Sequence, residues 1–295
     1  MVSLKSSIMF QVFKWKNLKQ VAKVRMETGA ERPRDFERPM KEMYNQFTIH
    51  VHQVQNHNVY TLEPKESDKS GIYILYLHGG AYISTFTKKH WDFIGTLVDQ
   101  TNGVVIAPDY PLAPQNTYKE AVGMVEDLYR DLAKNTEMTK LVLMGDSAGA
   151  GLALALAQKL KDEKIRQVDQ IILLSPWLDV LLKSPGIEDI NKIDPYLEPV
   201  GLRLAGMAYA GDTDPKHYLI SPLYGNLNGL RRISIFTGTR DILYPEAKLL
   251  KEKAIASNVE VDFIEYVGMI HVWMLFKFKE SLKATKQILK LILEK

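Results

Sequence analysis

Leu141-Val142-Leu143-Met144-Gly145-Asp146-Ser147-Ala148-Gly149-Ala150-Gly151-Leu152-Ala153-Leu154-Ala155-Leu156-Ala157 is the stretch that decides the fold of this 295-residue chain. Its first four residues form an apolar run that suits a strand. From Gly151 onward Leu and Ala alternate, and both are strong helix formers. The join is a Gly-x-Ser-x-Gly pentapeptide, Gly145 to Gly149. A Ser on such a strand-to-helix elbow is held in strained backbone geometry with its hydroxyl pushed out above the sheet. The glycines leave space where a Cβ would collide with the neighbouring strand or helix. The helix that follows points its positive end at the same spot. One turn thus predicts a nucleophile and a place for negative charge.

Outward from this elbow the chain alternates. Phe47 to His52 and Asn58 to Leu62 read as the two strands of a hairpin, and Ile72 to Leu77 as a third strand. Val104 to Ala107, Leu141 to Met144, Ile171 to Leu174, Ile233 to Phe236 and Val261 to Ile264 are short, near-continuous apolar runs of the kind buried on both faces. Helical stretches separate them, at 88–101, 117–134, 148–163 and 245–257, with a last one near 279–294. Strand–helix alternation predicts an α/β fold with a mostly parallel sheet covered on both sides. Residues 180–222 break the rhythm: they hold Pro185, Pro195 and Pro199, helix-compatible pieces and no clear strand. That is too long for an ordinary loop. We expect a helical cap insertion at 180–222, an N-terminal cap segment at 1–42, and an α/β core at 43–179 and 223–295.

Composition narrows the function. Hydrophobic residues at 46% and charged residues at 25% are ordinary globular usage, and a net charge of +3 gives no case for nucleic acid. The absence of cysteine excludes disulfides, thiolate metal sites and cysteine nucleophiles, and fits a cytoplasmic location. No stretch approaches the ~20 apolar residues that span a bilayer. The apolar piece Ile8 to Phe13 is interrupted by Lys14 and Lys16 with no small-residue cleavage site after it, so no signal peptide is expected. Lys5, Lys14, Lys16, Lys19, Lys23 and Arg25 precede the first acid, Glu27, and interleave with aromatic and aliphatic residues. Two readings stand for this segment: a cap helix packing its apolar side on the body, and a helix touching a membrane surface. A second copy of the chain is the other macromolecular partner considered.

A Ser hydroxyl needs an adjacent base, and the base needs a group that orients it. Catalytic loops of such sheets lie at the strands' carboxyl ends. Of the seven histidines only His271 follows the last core strand, in Gly268-Met269-Ile270-His271. Asp241 follows the preceding strand, in Thr237-Gly238-Thr239-Arg240-Asp241. Asp262 lies inside a strand and is the poorer choice. The chain order Ser147, Asp241, His271 is that of an α/β-hydrolase. His78-Gly79-Gly80-Ala81, after the third strand, supplies an oxyanion loop with Gly79, Gly80, Ala81 and, from the elbow, Ala148. The donors are expected to be the N–H groups of Gly80, Ala81 and Ala148, with Gly79 shaping the turn and His78 anchoring the loop. Loss of one such donor typically costs ~3 kcal/mol of transition-state stabilisation.

Together these motifs resemble the hormone-sensitive-lipase-like esterases of the α/β-hydrolase fold. The similar segments are His78 to Ala81, Asp109-Tyr110-Pro111-Leu112-Ala113-Pro114, Gly145 to Gly149, Leu174-Ser175-Pro176-Trp177, Asp214-Pro215 with Ser221-Pro222-Leu223-Tyr224-Gly225, and those around Asp241 and His271. They run in the family's order over roughly residues 70–275. The resemblance implies carboxylic-ester hydrolysis without a cofactor, a lid built from the N-terminus and the insertion, and the triad Ser147, Asp241 and His271. Two positions depart from it. Ala81 stands where the family usually has a third glycine, and its N–H serves the hole if its φ is negative. Ala150 stands where another glycine is usual.

The expected function is hydrolysis of small esters with short to medium acyl chains, because a small lid encloses limited volume. Tyr82, Trp177 and Met207 are the expected substrate contacts. Phe10, Phe13, Trp15, Tyr196, Leu204 and Tyr209 are further lid candidates. Alternatives are a deacetylase or amidase on the same fold and a non-catalytic small-ligand receptor; fold alone does not choose among them. No metal is expected: His50 and His52 share a strand face without an acidic partner motif.

Overall fold

The computed structural model describes residues 2–15, 19, 36–65 and 69–294. The basic residues Lys16, Lys23 and Arg25, and residues 31–35 of the expected connection, lie outside the described residues.

Among the described residues eight strands form one sheet: β1 Phe47–Val54, β2 His57–Pro64, β3 Ile72–Leu77, β4 Val104–Pro108, β5 Lys140–Asp146, β6 Gln170–Leu174, β7 Ile233–Gly238 and β8 Val261–Tyr266. Their order is β1-β2-β4-β3-β5-β6-β7-β8. The β1–β2 and β2–β4 pairs are antiparallel, and every pair from β4 onward is parallel. Each apolar run read from the sequence is one of these strands. The first hairpin turns through Gln55 and Asn56, both at positive φ, with Val54 opposite His57. A two-residue turn of that hand matches the twist of the flanking strands.

Strand residues alternate between two cores. Leu75, Leu77, Leu141, Leu143, Ile171, Leu173 and Ile235 pack on one face, with the helices Tyr118–Leu132, Ala148–Asp162 and Tyr244–Ala256. Ile74, Tyr76, Val142, Met144, Ile172, Leu174 and Phe236 pack on the other, with the helices Lys88–Thr101 and Lys279–Leu293. Burial on both faces is why the central strands read as unbroken apolar runs. The helix Tyr118–Leu132 starts where its sequence says it should. Thr117 caps it, and the Glu120 carboxylate accepts the Thr117 N–H at 2.7 Å, closing a capping box.

Between β6 and β7 the described residues form no strand. The segment holds the helices Ile187–Asn191 and Pro199–Ala210 and a 3-10 turn at Pro222–Tyr224. The N-terminal helix Leu4–Trp15 buries Ser6, Phe10 and Phe13. Its Phe13 ring meets Tyr196 of the inserted segment at 5.7 Å and Phe276 at 5.6 Å. Leu4, Ile8 and Trp15 stay exposed. Among the described residues no helix is long and apolar enough to cross a membrane.

Candidate active site

Ser147 stands between β5 and the helix Ala148–Asp162 with φ +53 and ψ −120. A side chain in this left-handed region is strained by about 1–2 kcal/mol. Backbone bonds hold it there: the Ser147 N–H donates to the Leu174 carbonyl at 2.8 Å, and the Ser147 carbonyl accepts the N–H of Trp177 at 3.0 Å. The elbow also needs Gly149, because a Cβ there would lie 2.0 Å from the Leu77 carbonyl oxygen. Close approach of β3 to the helix start is therefore written into the pentapeptide.

The Ser147 Oγ lies 2.8 Å from His271 Nε2, and His271 Nδ1 lies 2.8 Å from Asp241 Oδ2. Ser147 keeps 8% of its surface exposed, His271 3% and Asp241 0%. The ring nitrogen that faces a carboxylate carries the proton, which leaves Nε2 as an acceptor for the serine hydroxyl. Burial pushes the imidazole toward its neutral form. The Asp241 carboxylate outweighs that by charge and hydrogen bond, Asp194 and Asp146 add to it, and the pKa ends above the ordinary histidine value. The other Asp241 oxygen accepts the Leu243 N–H at 3.0 Å. Asp262 is engaged elsewhere, with Arg232 and the Ser234 hydroxyl, each at 2.7 Å.

The loop after β3 is tightly coiled. Gly80, Ala81 and Tyr82 have φ of +134, +56 and +62, and the Ile83 N–H closes the turn on the Gly80 carbonyl at 3.1 Å. The condition placed on Ala81, a negative φ, is thus not met, yet its N–H donates to none of the described residues and stays available, so the sign of φ does not decide its use. The loop coils through three left-handed residues, and the methyl of Ala81 is carried at about 1 kcal/mol of strain. Gly79 differs from its neighbours. Its N–H donates to Asp146 Oδ1 at 2.9 Å, so it is not free to meet an oxyanion. The N–H groups of Gly80, Ala81 and Ala148 donate to none of the described residues. The Ala148 group is one of the orphan donors that open any helix.

Asp146 joins the two halves of the site. Its Oδ1 also accepts the Tyr76 hydroxyl at 2.7 Å, and its Oδ2 lies 3.4 Å from His90 Nε2. The Thr87 N–H donates to His90 Nδ1 at 2.9 Å, which puts the ring proton on the nitrogen facing Asp146. Burial pushes the Asp146 carboxyl up, but His90, Tyr76 and Gly79 outweigh it and hold its pKa below the ordinary carboxylate value. His78 packs flat on Tyr110 at 4.3 Å and is fully buried. Burial, then the neighbouring His90, drive its pKa to about 3. It is a neutral anchor, not a base.

Of the expected substrate contacts, Tyr82 and Trp177 are buried at 1% exposure each and stack on one another at 5.4 Å; Tyr82 also stacks on Tyr209 at 3.7 Å. Met207 lies on the exposed side of its helix. None of the three has a contact with Ser147 or His271 side chains among the described interactions. Tyr196 does: its ring stacks over His271 at 6.2 Å with 26° between planes. Reading the sequence missed Asp146, Tyr76, His90 and Asp194. Asp146 carried a signal, as the residue before the nucleophile. His90 could have been found as the third residue after a helix-capping Thr87.

A family profile described as alpha/beta hydrolase fold matches residues 74–275. An esterase from Acinetobacter venetianus is 31% identical over 245 residues, covering 82% of this chain and 81% of the relative. An acetyl-hydrolase from Streptomyces hygroscopicus is 32% identical over 206 residues, covering 70% of this chain and 69% of the relative. Among solved structures, a hormone-sensitive lipase from a metagenome library superposes with a TM-score of 0.79 at 28% identity, covering 92% of this chain and 95% of that one.

Proposed function

The chain belongs to the hormone-sensitive-lipase-like group of the α/β-hydrolase fold, and from that premise we propose that it hydrolyses small carboxylic esters with Ser147, His271 and Asp241 as its catalytic triad. The observation that carries this reading is the unbroken series of two 2.8 Å contacts from hydroxyl to imidazole to buried carboxylate. His271 takes the Ser147 proton as Oγ attacks the ester carbonyl. Asp241 holds the ring in the tautomer that can accept it and stabilises the cation that forms. The carbonyl oxygen, now negative, meets the N–H groups of Gly80, Ala81 and Ala148, which donate to none of the described residues. His271 gives its proton to the leaving alcohol, and water activated by the same ring releases the acid. The segments 1–42 and 180–222 serve as the cap, and Tyr196 forms the part of it that covers His271.

Short to medium acyl chains suit a site this enclosed, with Tyr196 over the base and Ala81 in place of a smaller residue at the oxyanion turn. A series of p-nitrophenyl esters from acetate to palmitate is expected to peak in kcat/KM at six carbons or fewer, on the order of tenfold above the C12 ester or more. A maximum at C12 or beyond contradicts the acyl preference. The relative named acetyl-hydrolase supports a second reading on the same residues, removal of an acetyl group from an amide or sugar. Matched ester and amide substrates separate the two.

A further inference from the structure

We propose that Asp194, in the segment between β6 and β7, is a positioning residue that fixes the turn presenting Asp241 to His271. Asp194 is 3% exposed, and its carboxylate accepts three backbone N–H groups. Two belong to its own turn: Tyr196 at 2.7 Å and Leu197 at 3.1 Å, both on Oδ1. The third belongs to the other side of the site: the Ile242 N–H donates to Oδ2 at 3.0 Å. Ile242 is the residue next to Asp241. The adjacent Leu243 N–H donates back to Asp241 Oδ1 at 3.0 Å. Both amides after Asp241 are thus fixed by carboxylates, one from outside the loop and one from within it. An amide held from outside limits rotation of the Asp241 turn. The Asp241 Oδ2 is left aimed at His271.

The same turn reaches His271 by a second route. Tyr196 follows Asp194 by two residues, and its ring lies over the imidazole. Phe13 of the N-terminal helix and Phe276 pack on Tyr196 in turn. Asp194 therefore sets, through backbone hydrogen bonds, the residue that covers the base and the loop that orients it. A small shift of either is costly, since misplacing reacting groups by about 1 Å can lose on the order of 100-fold in rate.

Stability alone does not account for an acid here. Burial, then the neighbouring Asp241 charge, push the Asp194 carboxyl up to about 6, against the pull of the three amides. A carboxyl raised in the folded state favours folding when protonated, and that advantage is lost as pH rises toward 6. At neutral pH the ionised group is therefore retained at a cost to the fold. The charged or titratable groups that face it among the described residues are Asp241, His271 and Lys19, whose Nζ bonds to the Asn191 carbonyl at 2.6 Å.

This inference rests on the proposed triad, which labelling of wild-type Ser147 by a fluorophosphonate establishes separately. The test is Asp194→Asn beside Asp194→Ser, assayed on p-nitrophenyl acetate across pH. Asn can still accept the Tyr196 amide but turns an N–H toward Ile242; Ser is too short to reach it. Both variants are expected to lose about 10–100-fold in kcat with KM within about twofold. The acid limb of kcat/KM is expected to move to lower pH by roughly 0.5 unit, because a negative charge near the imidazole has gone. A purely structural residue would lower the yield or melting temperature of the variants and leave kcat of the folded protein unchanged, whereas the limb reports the lost charge alone. Wild-type kcat in folded variants, wherever the acid limb lies, overturns the proposal while leaving the triad standing. Rapid hydrogen exchange of the Ile242 amide in the wild-type protein overturns it too, whatever the variants do.

Discussion

Ser147→Ala is expected to lower kcat on p-nitrophenyl acetate by about 10⁴-fold or more, with unfolding free energy within about 1 kcal/mol of wild type. Loss of the hydroxyl removes the atom that His271 Nε2 contacts at 2.8 Å, so neither the attack nor the acyl-enzyme remains. The fold should tolerate the change. Ala carries the same Cβ into the left-handed conformation, and the bonds that fix the elbow, Ser147 N–H to Leu174 and Trp177 N–H to Ser147, are made by backbone alone. Steady-state assays of purified protein, with chemical denaturation beside them, read both quantities. Turnover within tenfold of wild type in a folded variant contradicts the assignment.

Asp241→Asn carries the second large effect, about 10³–10⁴-fold in kcat at neutral pH. The Asn carbonyl can keep the Leu243 N–H, which places its NH₂ toward His271. Two donors cannot face each other. The ring must then accept at Nδ1 and carry its proton on Nε2, pointing at the serine oxygen instead of receiving from it. The pH profile separates this from simple misfolding. In the wild-type protein the Asp241 carboxylate outweighs burial and raises the His271 pKa, and the base works only when neutral. The wild-type acid limb should therefore lie above the ordinary histidine value, with activity falling as pH drops through it. Without the Asp241 charge, burial prevails and the limb of any residual activity moves to lower pH. A variant with the wild-type limb and a rate within tenfold of wild type would show that another group orients the ring.

Much of this arrangement is legible in the sequence, for definite reasons. Strands buried on both faces cannot alternate polar with apolar residues, so Ile172-Leu173-Leu174 and Val142-Leu143-Met144 announce themselves. A parallel sheet puts its loops at one end, so the residues after β5, β7 and β8 must meet there, and these hold Ser147, Asp241 and His271. What stayed hidden depends on contacts that no local pattern records. Asp146 bonds to Tyr76 and Gly79 across 70 and 67 residues, and Asp194 to Ile242 across 48. Ala81 gives no sign that it is left-handed, since alanine rarely is; only the coil of the loop from Gly80 to Tyr82 requires it. An aromatic reads alike in a core and in a pocket wall. Tyr82 and Trp177 turn out to be packed in the interior, whereas Tyr196 is the ring that lies over the base.

Active-site mapping offers the sharpest trial of a nucleophile at the elbow. Wild-type protein treated with a fluorophosphonate and digested should give one stoichiometric adduct, on the peptide that contains Ser147, with ester hydrolysis lost in proportion. Undiminished hydrolysis with Ser147 unmodified, or a stoichiometric adduct on any other residue, would contradict the triad.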